Sequence, residues 1–113
     1  EGMPFDEELM LMLVTPDFAT KRADVLRAFM ADFVAATKFY VEKPKEARKA
    51  LIDAKMVRVP EALYLNMTDN YRNPTARIDI EALKKAQEAA IAKGQQKNRV
   101  DPAAFVDLSF LPK

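Results

Sequence analysis

The stretch Arg22–Val41, RADVLRAFMADFVAATKFYV, decides the fold class. Its apolar members Val25, Leu26, Phe29, Met30, Phe33, Val34, Thr37, Tyr40 and Val41 recur at spacings of three and four. That spacing lines one broad face of an α-helix. Arg22, Arg27, Asp32 and Lys38 fall mostly elsewhere on the helical wheel. The pattern predicts a long helix whose broad face looks into a core. The aromatics Phe18, Phe29, Phe33, Phe39 and Tyr40 read as core residues rather than as a base-stacking platform.

On the C-terminal side the helix signals continue. Pro44 suits the first turn of a second helix, with Ala47, Ala50, Leu51 and Ala54 as its apolar stripe. Pro60 opens a third in the same way, carrying Ala62, Leu63, Leu65 and Met67. The segment Asp69 to Pro74 is turn material. A fourth helix has Asp79 as its cap, Ile78 and Leu83 at staple positions, Glu81 in the first turn, and Lys93-Gly94 at its end. Its stripe is Ile80, Leu83, Gln87, Ala90 and Ile91. Asp101-Pro102 repeats the cap-plus-proline start for a short helix, and the apolar tail Phe105, Val106, Leu108, Phe110 and Leu111 follows.

On the N-terminal side stands the one strand candidate, Leu9 to Val14, a continuous apolar run. No second run of that kind follows to pair with it. Two glycines in the whole chain also speak against a fold of many tight turns. The fold class expected is mainly α, four to five helices plus one N-terminal strand, with residues 1–20 a strand and crossing and residues 21–113 helical.

The totals exclude several kinds of chemistry. A chain of 113 residues is one domain at most, and 18 basic against 17 acidic residues leave a net charge of +1. Nothing in that balance gathers nucleic acid. Cysteine and histidine are absent, which removes thiol nucleophiles, imidazole bases and nearly every zinc, copper or haem site. The longest apolar run, Leu9 to Val14, is too short to insert across a membrane. The acidic run Asp6-Glu7-Glu8 reads as a solvated turn, and Asp69 to Ile80 fails as a calcium loop because Pro74 and Ile80 occupy its glycine and glutamate positions. Lys43, Lys45, Arg48 and Lys49, interrupted by Glu42 and Glu46, read as a solvated basic face. Asn66-Met67-Thr68 fits a glycosylation acceptor but falls inside a predicted helix. No phosphate-loop or dinucleotide glycines occur. The expectation is a protein that is not an enzyme, with no catalytic residues, no metal and no cofactor.

The order of these features resembles a known family. A buried run leads into Val14-Thr15-Pro16-Asp17-Phe18-Ala19, then comes the long helix with Val25-Leu26-Arg27-Ala28-Phe29. Lys43-Pro44-Lys45-Glu46-Ala47, Asn70-Tyr71-Arg72-Asn73-Pro74, Asp79-Ile80-Glu81-Ala82-Leu83 with Gly94, and Val100-Asp101-Pro102 to Phe110-Leu111-Pro112 follow in that order. The sequence is similar to the C-terminal third of the periplasmic solute-binding proteins of the nitrate, sulfonate, taurine and thiamine-precursor type. It departs at Lys21-Arg22-Ala23-Asp24, where the family commonly opens the long helix with asparagine-proline.

The resemblance implies a fragment of a two-lobe α/β binding protein that delivers a small organic anion or a thiamine-precursor-like solute to an ABC permease. It implies a periplasmic or extracytoplasmic location, with a signal peptide outside this chain. Leu9 to Val14 would then be a hinge strand whose partners lie upstream, and Thr15 a ligand-binding hydroxyl at the pocket rim. Residue pattern alone supports an alternative, a stand-alone helical interaction or dimerisation module. On the first reading the isolated chain self-associates, because faces that should meet absent lobes stay apolar and exposed.

Overall fold

The computed structural model describes residues 11–113, which form five α-helices and one 3₁₀ turn; the chain is mainly helical. Thr15 starts the first of them, α1 (Pro16–Lys21). Its Oγ1 accepts the Phe18 N–H at 3.2 Å, and Pro16 occupies the first turn where its missing N–H is harmless. The sequence pattern predicts a strand and crossing over residues 1–20, not a helix. After the break at Arg22, α2 runs Ala23–Glu42, within a residue of the span that the apolar spacing predicts. A single non-helical residue, Lys43, separates it from α3 (Pro44–Asp53). Pro60 is the N-cap of α4 (Glu61–Asn66) rather than its first residue. Asp79 caps α5 (Ile80–Ala92), with Oδ1 accepting from Glu81 N and Ala82 N at 2.9 and 3.0 Å. Asp101 caps the 3₁₀ turn Pro102–Phe105 in the same fashion, accepting from Ala103 N at 3.1 Å.

Two expectations are corrected. The strand Leu9 to Val14 is not formed over its described part: Leu11–Val14 is irregular, and no strand exists among the described residues. Leu9 and Met10 lie outside the described residues. An extended run needs a neighbour to receive its N–H and C=O groups, and Leu13 stands 86% exposed. The second correction concerns α2. Leu26 is its one buried residue, and Val25, Phe29, Phe33 and Phe39 are exposed, not core. Phe18 on α1 is exposed as well.

The chain divides into two compact units. One consists of the described part of Glu1–Ala23 with Arg77–Phe110, the other of Asp24–Ala76 with Leu111–Lys113. In the first, α5 packs on the 3₁₀ turn, and a buried amide on α5 holds the chain just before that turn. Gln87 Oε1 accepts Val100 N–H at 2.8 Å while its Nε2 donates to Val100 O at 2.9 Å. The side chain thus imitates a peptide group in a ladder and pins the returning chain to α5. Gln96 Nε2 donates to the same Oε1 at 2.8 Å and to Asn98 O at 2.7 Å. In the second unit α3 packs on α4, and α2 lies along neither.

Helices α3 and α5 end with the same backbone pattern. In α3, Lys55 N bonds Ile52 O at 2.8 Å and Met56 N bonds Leu51 O at 3.0 Å. In α5, Gly94 N bonds Ile91 O at 3.0 Å and Gln95 N bonds Ala90 O at 2.9 Å. Both ends turn on a left-handed residue, Gly94 at φ +69° and Lys55 at φ +56°. Glycine adopts that conformation without the Cβ clash a lysine suffers. Lys55→Gly should therefore raise unfolding free energy by about 0.5–1 kcal/mol, and Gly94→Ala should lower it by about 1 kcal/mol. Since nothing lies within 4 Å of a Cβ built on Gly94, that loss would be backbone strain alone. Urea unfolding followed by circular dichroism measures both; equal effects of the same sign would contradict the assignment.

Candidate functional site

The described residues hold one charged side chain that is almost wholly buried, Arg48, with 6% of its side chain exposed. It was expected on a solvated basic face. Lys43, Lys45 and Lys49 are indeed exposed, and Lys43 pairs with Glu46 at 3.5 Å, Lys49 with Asp53 and with Glu61 at 3.9 Å. Arg48 departs because of its place on α3. It lies three and four residues from Leu51, Ile52 and Pro44, so helical geometry puts it beside the face that packs on α4. That spacing was legible; what lay opposite was not.

What lies opposite is the end of α4. The last carbonyls of a helix have no partner of their own and carry the negative end of its dipole. Arg48 Nη1 donates to three oxygens there, Tyr64 O and Leu65 O at 3.2 Å each and Met67 O at 2.8 Å. Its Nε donates to the Tyr40 hydroxyl at 3.1 Å, and Nη2 reaches Asp69 Oδ2 at 3.4 Å. Every nitrogen of the guanidinium is engaged, which is the condition for burying such a charge without a large penalty. The rings of Tyr40 and Tyr64 lie 5.9 and 5.8 Å from its Cζ.

Asp69 gathers the remaining donors. It receives a hydrogen bond from the Tyr40 hydroxyl, one from Asn70 N at 2.9 Å, and one from Arg72 Nη2 at 3.3 Å. Arg72 in turn stands 4.9 Å over the Tyr40 ring. The Tyr40 hydrogen bond is the chief cause that holds the Asp69 carboxyl at about 2, against a burial that pushes it up. Burial is also the main cause that raises the Tyr40 phenol above its ordinary value. At neutral pH the Asp69 carboxylate is therefore charged and the Tyr40 phenol neutral. Around it opens a concavity of about 510 Å³, walled by Tyr40, Val41, Pro44, Tyr71, Arg72 and Pro74 among others.

Thr15, the expected rim hydroxyl, sits at the start of α1, where its oxygen caps the helix. It lines neither this concavity nor the one beside Gln87 and Arg99. Among the described residues no group of three acidic side chains converges in a way that could hold a metal ion, and no helix is long and apolar enough to cross a membrane. No family model, curated protein or solved structure matches this chain.

The depressed carboxyl ties stability to pH. Its folded value lies below the ordinary 3.8, so its contribution is present above about pH 4 and is lost as pH falls toward 2. That contribution is about 2 kcal/mol at most. Tyr40→Phe should move the Asp69 titration midpoint, read by carboxyl-carbon NMR, upward from about 2 toward 3.8. An unmoved midpoint would show that the hydroxyl is not what holds it. Arg48→Ala should lower Tm by more than about 10 °C while Lys45→Ala lowers it by less than about 2 °C. Similar losses for the two would remove Arg48 from its central place.

Proposed function

We propose that this chain is the C-terminal part of the substrate-binding component of an ABC importer, working outside the cytoplasm. In that reading it supplies the hinge segment and lobe-packing helices of a protein that captures a small organic anion or thiamine-precursor-like solute and presents it to a permease. The observation that carries the reading is the uncovered apolar face of α2, where Val25, Phe29 and Phe33 stand exposed on a helix that lies along no other helix of its unit. A face of that size calls for further polypeptide. The resemblance supplies the kind of polypeptide, and its helix starts at Pro44, Asp79 and Asp101-Pro102 coincide with helices in the fold. Thr15 keeps its proposed place near the pocket rim through its position after the hinge segment. Ligand capture would work by selecting a closed arrangement of lobes, with no covalent chemistry.

The same face favours a second reading, a helical dimerisation module, since Phe29 and Phe33 already stack with centroids 6.2 Å apart and present a continuous aromatic ledge. Thermal denaturation of the full open-reading-frame product, scanned against nitrate, taurine, alkanesulfonates and aminopyrimidines, tests the first reading. A ligand at a hundred times its Kd should add about 2.7 kcal/mol, a gain of several degrees. A panel without a single shift would sink it. Light scattering of the 113-residue chain tests the second: the module forms a dimer of fixed mass that Phe29→Glu dissolves, whereas a packing segment associates without limit as concentration rises.

A further inference from the structure

The concavity beside Arg72 has a charge balance that its own contacts do not close. Two guanidinium groups, Arg48 and Arg72, meet a single carboxylate, Asp69, which leaves one net positive charge at its floor. Arg48 is buried and fully engaged. Arg72 is neither: 41% of its side chain is exposed, its Nη2 reaches Asp69 at 3.3 Å, and its Nε and Nη1 have no partner among the described residues. Asp69 and the Tyr40 ring hold the guanidinium, and Arg72 is one of the residues that line the concavity. A fixed fork of that kind matches the oxygens of a carboxylate or sulfonate.

The walls are of another character. Val41, Pro44, Tyr71 and Pro74 are largely apolar surfaces, and Tyr71 is 88% exposed and so open to a ligand. The volume of about 510 Å³ falls in the range that takes small molecules. We propose that this concavity binds a small organic monoanion, its acidic head on the free edge of Arg72 and its short alkyl or aryl body against Tyr71 and the two prolines. A dianion fits less well, because Asp69 repels the second charge. A cation fits worse still. The site lies wholly within residues 40–74, and the importer's solute would sit elsewhere; loss of binding in Arg72→Gln and Tyr71→Ala, rather than a stability shift with an alkanesulfonate, separates the two readings.

The chain carries its own probe. It has three tyrosines and no tryptophan, and Tyr40, Tyr64 and Tyr71 all lie at or beside this cluster. Titrating the 113-residue chain with sodium 1-hexanesulfonate at constant ionic strength should give a saturable change in tyrosine fluorescence, with Kd about 1 mM or tighter. Methanesulfonate should bind several-fold more weakly and hexylammonium not at all. Arg72→Gln should weaken hexanesulfonate about tenfold or more with an unchanged helical circular dichroism spectrum. Tyr71→Ala, at a side chain too exposed to unfold the chain, should weaken it about threefold, which keeps the test decisive if Arg72→Gln loses helix. A linear, unsaturable response, equal binding of hexylammonium, or undiminished binding by both variants would overturn the proposal.

Discussion

The structure of residues 24–76 depends on one constraint: the Arg48 guanidinium is buried and each of its nitrogens must find an oxygen. A buried charge left partly unpaired is far more costly than a surface one, so the oxygens that serve it are held to narrow positions. Three come from the end of α4, one from the Tyr40 hydroxyl at the end of α2, and one from Asp69 in the loop beyond α4. A single side chain therefore ties together two helix ends and a loop that no shared strand or long helix pair connects. The lone non-helical residue Lys43 serves the same end. It redirects the chain so that Tyr40 and Arg48, eight residues apart, come within hydrogen-bond distance.

The unit around Gln87 solves a like problem without charge. Gln87 carries both a donor and an acceptor on one planar group, and Val100 presents one of each. Its amide and the Arg48 guanidinium are the two buried polar side chains of the described residues, and both join segments distant in sequence. Polar burial of this kind fixes position more sharply than apolar contact does, because hydrogen bonds weaken steeply with angle and distance. The surface ion pairs, such as Arg99 with Glu88, add little beside them.

What the sequence made legible follows from the range of the interaction involved. Caps, proline starts and the glycine end of α5 act within a few residues, and each stands where local chemistry put it. The start of α1 at Thr15-Pro16 obeys the same rules, although residues 1–20 read as a strand and crossing. The strand itself was misread because an apolar run states only that burial is wanted, not that a sheet is present to provide it. Arg48 was misread for the converse reason. Its charge spoke for the surface, while the carbonyls that draw it inward sit 16 to 19 residues away and carry no signature of side chain. The aromatic face of α2 was read correctly as apolar and wrongly as covered, since periodicity identifies a face and never its occupant.

That difference bears on how α2 would meet a partner. Its C-terminal end is held by Tyr40, through a geometry with little freedom, and its direction relative to α3 is set there. The preceding turns display Val25, Phe29 and Phe33 as exposed apolar side chains. Phe29 and Phe33 keep 49% and 39% of their surface exposed, so covering each would remove on the order of 100 Å² from water, at about 25 cal/mol per Å². Apolar area supplies free energy and tolerates many placements; the polar knot supplies placement and little free energy of its own. A covering lobe or a second copy would thus gain its affinity from the aromatic turns and its orientation from the helix that Tyr40 and Arg48 have already fixed.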